Sequence, residues 1–130
     1  MLKAPDYTKN GVMVSWNSSK GAEKYRVYRY GSSGWEKIGE TAETSFEDTT
    51  AESGTDCRYT VRCITADGTG FTSDCEMPGV TIYYIAAPQL IAADTDAFSA
   101  TIMWSKPAGA EKYRVYKKVS GTWKIGRAHV

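Results

Sequence analysis

Gly21-Ala22-Glu23-Lys24-Tyr25-Arg26-Val27-Tyr28 recurs unchanged as Gly109-Ala110-Glu111-Lys112-Tyr113-Arg114-Val115-Tyr116, at an offset of 88 residues. Within the stretch, Tyr25 and Val27 alternate with Arg26 and Tyr28, the period of a strand that buries one face. Trp16 maps onto Trp104 and Trp35 onto Trp123 at the same offset. A repeat of this length is too long for a solenoid unit and suits a small domain. The 130 residues therefore read as one full unit followed by the first half of a second.

Short alternating segments separated by turn residues continue on both sides of the repeat. Val12–Trp16 follows the turn pair Asn10-Gly11, and Tyr25–Tyr30 closes at Gly31-Ser32-Ser33-Gly34. Trp35–Ile38, Ser45–Thr49, the long run Cys57–Ile64 and Gly79–Tyr84 complete the first unit. No window of helical length carries an apolar 3.6 period, so the expected class is all-β, a two-sheet sandwich. Tyr25 and Val27 are expected to face inward with Cys57, Tyr59, Val61 and Cys63. Residues 85–88, ending in Pro88, form a short, stiff link. The second unit, 88–130, supplies strands near Gln89–Ala92, Ala100–Trp104 and Tyr113–Lys117. Lacking the later strands, it is expected to be poorly ordered or to leave an apolar face uncovered.

The tail carries its own signal. Trp35-Glu36-Lys37-Ile38-Gly39 becomes Trp123-Lys124-Ile125-Gly126, one residue out of register. Residues 125–130, Ile-Gly-Arg-Ala-His-Val, are also the translation of a common short-read sequencing adapter (ATC GGA AGA GCA CAC GTC). They are read as adapter sequence, which removes the single histidine, His129, from consideration.

Composition narrows the function classes. A net charge of +1 with scattered Lys and Arg argues against nucleic acid and against a polybasic membrane patch. The longest apolar stretch, Val80–Ala93, contains Pro88 and is too short to span a bilayer, so no membrane insertion is expected. Leu2-Lys3-Ala4-Pro5 has no signal-peptide character. Three cysteines give no complete disulfide framework. Cys57 and Cys63 lie ~20 Å apart along one strand and cannot pair. Cys63 and Cys75 flank the turn Asp67–Gly70 and could pair across a hairpin, or all three could be free thiols.

These segments resemble a fibronectin type III domain, of the tandem kind found on surface and secreted proteins of Gram-positive gut bacteria. The carriers are Asn10–Trp16, Gly21–Tyr28, Trp35–Gly39, Thr44–Thr49, and Ser53-Gly54-Thr55 through Val61-Arg62-Cys63. The resemblance implies an immunoglobulin-like sandwich over 1–84, a truncated copy after residue 88, and an extracellular or cell-surface location. It also implies that Trp16 fills the core. Such domains usually carry a tyrosine where Cys57 stands, its hydroxyl tying the corner. Tyr59 is then the candidate to hold that corner, and Cys57→Tyr is expected to stabilise the domain.

Little chemistry emerges. Without His129 no Ser-His-Asp or Cys-His arrangement can be assembled, and three cysteines do not make a zinc site. Glu43, Glu47, Asp48, Glu52 and Asp56 read as solvated turn acids, and Gly31–Gly34 precedes no helix that could cradle phosphate. No catalytic residue, metal or cofactor is expected. The one functional candidate is a sheet face bearing Arg26, Tyr28, Trp35, Arg58 and Arg62, which could stack on sugar rings or a protein. The expected function is that of a non-catalytic spacer module whose partners are neighbouring domains of the same chain. The alternative is a glycan- or protein-binding module using that face.

Overall fold

The computed structural model describes residues 1–95 and 100–125. Among them there are only strands: β1 (Asp6–Tyr7), β2 (Val12–Ser15), β3 (Lys24–Gly31), β4 (Gly34–Thr41), β5 (Ser45–Asp48), β6 (Thr55–Ile64) and β7 (Val80–Tyr84). Four more follow: β8 (Leu90–Thr95), β9 (Ala100–Trp104), β10 (Tyr116–Val119) and β11 (Thr122–Ile125). The first unit pairs as two antiparallel sheets, β1-β2-β5 and β4-β3-β6-β7.

One core joins them. Val12, Val14 and Trp16 come from the smaller sheet and its end; Tyr25, Val27, Cys57, Tyr59, Val61, Cys63 and Tyr84 come from the larger. The two-residue period of each strand is what delivers these side chains to one side. Burying a valine such as Val14, fully enclosed here, contributes about 1.5–3 kcal/mol. Two antiparallel sheets around a shared core are consistent with a β-sandwich. The inward set expected on β3 and β6 is buried throughout.

Two expectations about this core need correction. Asp48 is not a solvated turn acid but is 2% exposed. It accepts hydrogen bonds from the Tyr59 hydroxyl at 2.7 Å, from Arg29 Nη1 at 2.7 Å, and from the Thr50 amide and hydroxyl at 3.0 and 2.7 Å. β3 and β6 of one sheet are thereby tied to β5 of the other. Cys57, in turn, is 3% exposed and packed in the core. A tyrosine there would overfill the site, while the Tyr59 hydroxyl already ties β6 to the end of β5 through the Asp48 carboxylate.

The second unit repeats the local structure of the first. Leu90 pairs with Trp104 as Leu2 bridges to Trp16. The Ser105 amide donates to the Gln89 carbonyl at 2.9 Å, as Asn17 does to Met1 at 2.9 Å. Ala110 donates to Pro107 as Ala22 does to Ser19. Its strands β8 and β9 pair with each other, as do β10 and β11.

The burial is different. Ile102 is 38% exposed where Val14 is 0%; Trp104, Tyr113 and Val115 are half-buried where Trp16, Tyr25 and Val27 are enclosed. Nothing among the described residues stands where β5, β6 and β7 stand in the first unit. The same cause moves a strand boundary. The expected strand Tyr113–Lys117 begins only at Tyr116, because among the described residues Tyr113–Val115 have neither of the two neighbours that hold Tyr25–Val27.

The turn between β10 and β11 adds a strand not expected from the sequence. Ser120 (φ 50°) and Gly121 (φ 82°) are both left-handed, the conformation a two-residue hairpin turn requires. Of the suspected adapter stretch, Ile125 pairs with Tyr116, and residues 126–130 lie outside the described residues.

Candidate functional site

The residues of the sheet face fall into two stacks on the outer side of β3, β4 and β6. Tyr30 and Trp35 are cross-strand partners beside the Gly31–Gly34 turn, with ring centroids 5.2 Å apart in an edge-on contact. The Arg58 guanidinium lies over both, 5.3 Å from the Trp35 ring and 5.5 Å from Tyr30. Its Nε donates to the Pro78 carbonyl at 2.8 Å, which fixes the plane over the rings.

Arg26 and Arg62 are directly opposed on β3 and β6, a placement that would repel if both stood free. Phe71 separates them from solvent: Arg62 sits 3.5 Å from its centroid and Arg26 5.3 Å. Arg62 also donates to the Ser73 carbonyl at 3.0 Å. Arg26 donates to Glu40 at 2.7 Å from Nε, and to the Gly68 carbonyl at 3.0 Å.

Glu40 is the counter-charge of the face. Lys24, Arg26 and Lys37 lie 3.6, 2.5 and 3.1 Å from its carboxylate. Hydrogen bonds from Lys37, then Arg26, hold its pKa at about 2. The same Glu40 bond raises the Arg26 guanidinium above its ordinary value. A bulge between Val27 and Tyr28 in the β3–β4 ladder lets Glu40 face Arg26 while Lys37 faces Tyr28.

The five residues named from sequence thus share one face, but not one patch. Arg58 and Trp35 belong to the first stack, Arg26 and Arg62 to the second. Tyr28, half-buried, is paired with Lys37 and Thr60 between them. The most exposed rings of this face are Tyr30 at 51% and Phe71 at 53%, neither of them among the five. Counting back from the Gly31–Gly34 turn would have found Tyr30 opposite Trp35. Phe71 had no such signal, since it reaches the face only through the Ile64–Phe71 bridge.

Among the described residues, no group of three or more His, Cys, Asp or Glu is placed to hold a metal ion. No helix there is long and apolar enough to cross a membrane. Cys57, Cys63 and Cys75 are free thiols.

A second feature lies between the units. The Ser53 hydroxyl accepts from the Ala86 amide at 2.9 Å and donates to the Ala108 carbonyl at 2.7 Å. One side chain of the first unit thereby grips both the link and the turn of the second. Beside it, a groove of about 930 Å³ runs under the link, lined by Tyr83, Pro88, Leu90, Ile102, Trp104 and Tyr113 among others. Comparison with protein-family models, curated proteins and solved structures returns no match to this chain.

Proposed function

We propose that residues 1–84 form a fibronectin type III domain and that residue 88 opens a second. The chain then serves as a non-catalytic spacer within a larger extracellular bacterial protein. The sheet orders β1-β2-β5 and β4-β3-β6-β7 support the fold assignment, as does the enclosed Trp16. The observation that carries the spacer role is the Ser53 bridge between Ala86 and Ala108. A four-residue link pinned at its second residue, with Pro88 at its end, restricts the angle between the units.

The test is a distance distribution between labels at Lys9 and Lys106, both exposed, introduced through unnatural amino acids. A narrow distribution that widens in Ser53→Ala is the expected result. A broad distribution in the unmodified chain would defeat the spacer reading.

A second reading is favoured by the exposure of Tyr30 and Phe71 stacked against fixed guanidinium groups. Such a face is preorganised for a sugar ring or a protein partner. Alanine at Tyr28 or Trp35 that abolishes binding on a glycan array without lowering stability would support recognition. Silence of the unmodified protein at high concentration would count against it.

A further inference from the structure

The repeated turn is covered in its second copy and bare in its first. A Cβ added at Gly109 (φ 88°) would stand 2.6 Å from the Gly54 Cα and 2.8 Å from the Tyr83 hydroxyl. At Gly21 (φ 83°), the same place in the same eight residues, a Cβ would meet nothing within 4 Å among the described residues. Burial follows this contact. Ser105, Pro107 and Ala110 are each more buried than Asn17, Ser19 and Ala22, whereas Ile102, Trp104 and Tyr113 are less buried than their counterparts. The turn gains cover in the unit that otherwise loses it, so the cover comes from the neighbouring unit. The backbone of the two turns is alike in its hydrogen bond and its left-handed glycine. Only a residue without a side chain allows the approach of the two backbone segments seen at Gly54 and Gly109.

We propose that the Gly21 turn is a docking surface for another module of this kind, joined on the N-terminal side. That module would seat through its own Ser53-Gly54 turn and Tyr83, as the first unit seats on Gly109. The proposal rests on the spacer reading. A free second copy of the chain does not fit, because its Ser53-Gly54 turn is already filled by residues 108–109. The path of the chain agrees: Met1 stands where Gln89 stands, each carbonyl accepting a 2.9 Å bond from the matching amide. A strand entering at Met1 from an Ile-Ala-Ala-Pro link would follow the route taken by residues 85–89.

The experiment fuses an additional copy of residues 1–88 ahead of Met1 of the full chain. Labels go at Lys9 of the added copy and at Ser18 of the next unit, the counterpart of Lys106. The expected result is the same narrow distribution that the Lys9–Lys106 pair gives in the original chain. Gly21→Asn in the acceptor, and separately Gly54→Asn in the added copy, should widen it toward the ~11 Å reach of a flexible four-residue link. Asparagine tolerates the left-handed region, so both variants keep their turns. A broad distribution in the unmodified fusion, or a narrow one indifferent to both substitutions, overturns the proposal. If the Lys9–Lys106 pair stays narrow in the same protein, the spacer reading survives that failure. If both pairs are broad, the two fall together.

Discussion

The rings of Trp104 and Tyr113 meet edge to face at 5.4 Å and 61°, and those of Trp16 and Tyr25 at 5.3 Å and 61°. The same residues, at the same spacing, form the same contact in an enclosed core and in a half-open one. The pair is therefore a local product of strand, turn and strand. What differs is the hydroxyl. Tyr25 accepts a bond from the Ser19 amide at 3.1 Å. Tyr113 has a buried hydroxyl with no partner among the described residues, because the residue equivalent to Ser19 is Pro107, which has no N–H.

This predicts an asymmetry between two identical substitutions. Tyr25→Phe should cost about 1 kcal/mol by stranding the Ser19 amide. Tyr113→Phe should be neutral or stabilising, since it removes a buried oxygen that makes no bond. Chemical denaturation of the two variants measures both. Equal losses would refute the account.

The Asp48 cluster sets the response to acid. Burial pushes the Asp48 carboxyl up, but bonds from Tyr59, Thr50 and Arg29 outweigh it and hold the group below 3.8. A depressed carboxylate takes up its proton more readily in the unfolded chain. Its contribution is therefore complete above the unfolded value and is lost as pH falls through the folded one. Glu40, lowered from 4.5 to about 2, acts in the same direction. The melting temperature should thus fall steadily from about pH 5 to about pH 2, and Asp48→Asn should flatten that slope. Tyr59→Phe should cost about 1–3 kcal/mol at neutral pH. An unchanged slope in Asp48→Asn would show that other groups govern acid unfolding.

At Cys57 the expectation from resemblance is reversed. The thiol is enclosed, so Cys57→Tyr should destabilise by about 1–3 kcal/mol through overpacking. A raised melting temperature would mean that the core opens to admit the ring and that the corner prefers its usual residue.

Thiol accessibility gives a direct check on packing. Cys75 is half-buried while Cys57 and Cys63 are 3% and 9% exposed. A disulfide reagent under native conditions should titrate one thiol rapidly and the other two only on unfolding. Rapid titration of three would contradict the enclosed core. Rapid titration of none, with an oxidised pair found by mass, would show Cys63 joined to Cys75.

Local pattern alone made much of this protein legible. Alternation in Tyr25–Tyr30 and Cys57–Ile64 announced the strands and the face each would bury, because the pleat sends successive side chains to opposite sides. The repeat announced a recurring local structure, and the Trp–Tyr contact followed from strand-and-turn geometry in each copy. Other features required the fold. Asp48 looks like its acidic neighbours until Tyr59 and Arg29 reach it from another sheet. Phe71 becomes a platform for two arginines only when the chain returns beside Ile64. Gly21 and Gly109 sit in identical sequence, yet among the described residues one faces open space and the other the first unit. Sequence settles what a residue does within reach of its own strand and turn; contacts between distant segments depend on which backbones come together, and no local pattern records that.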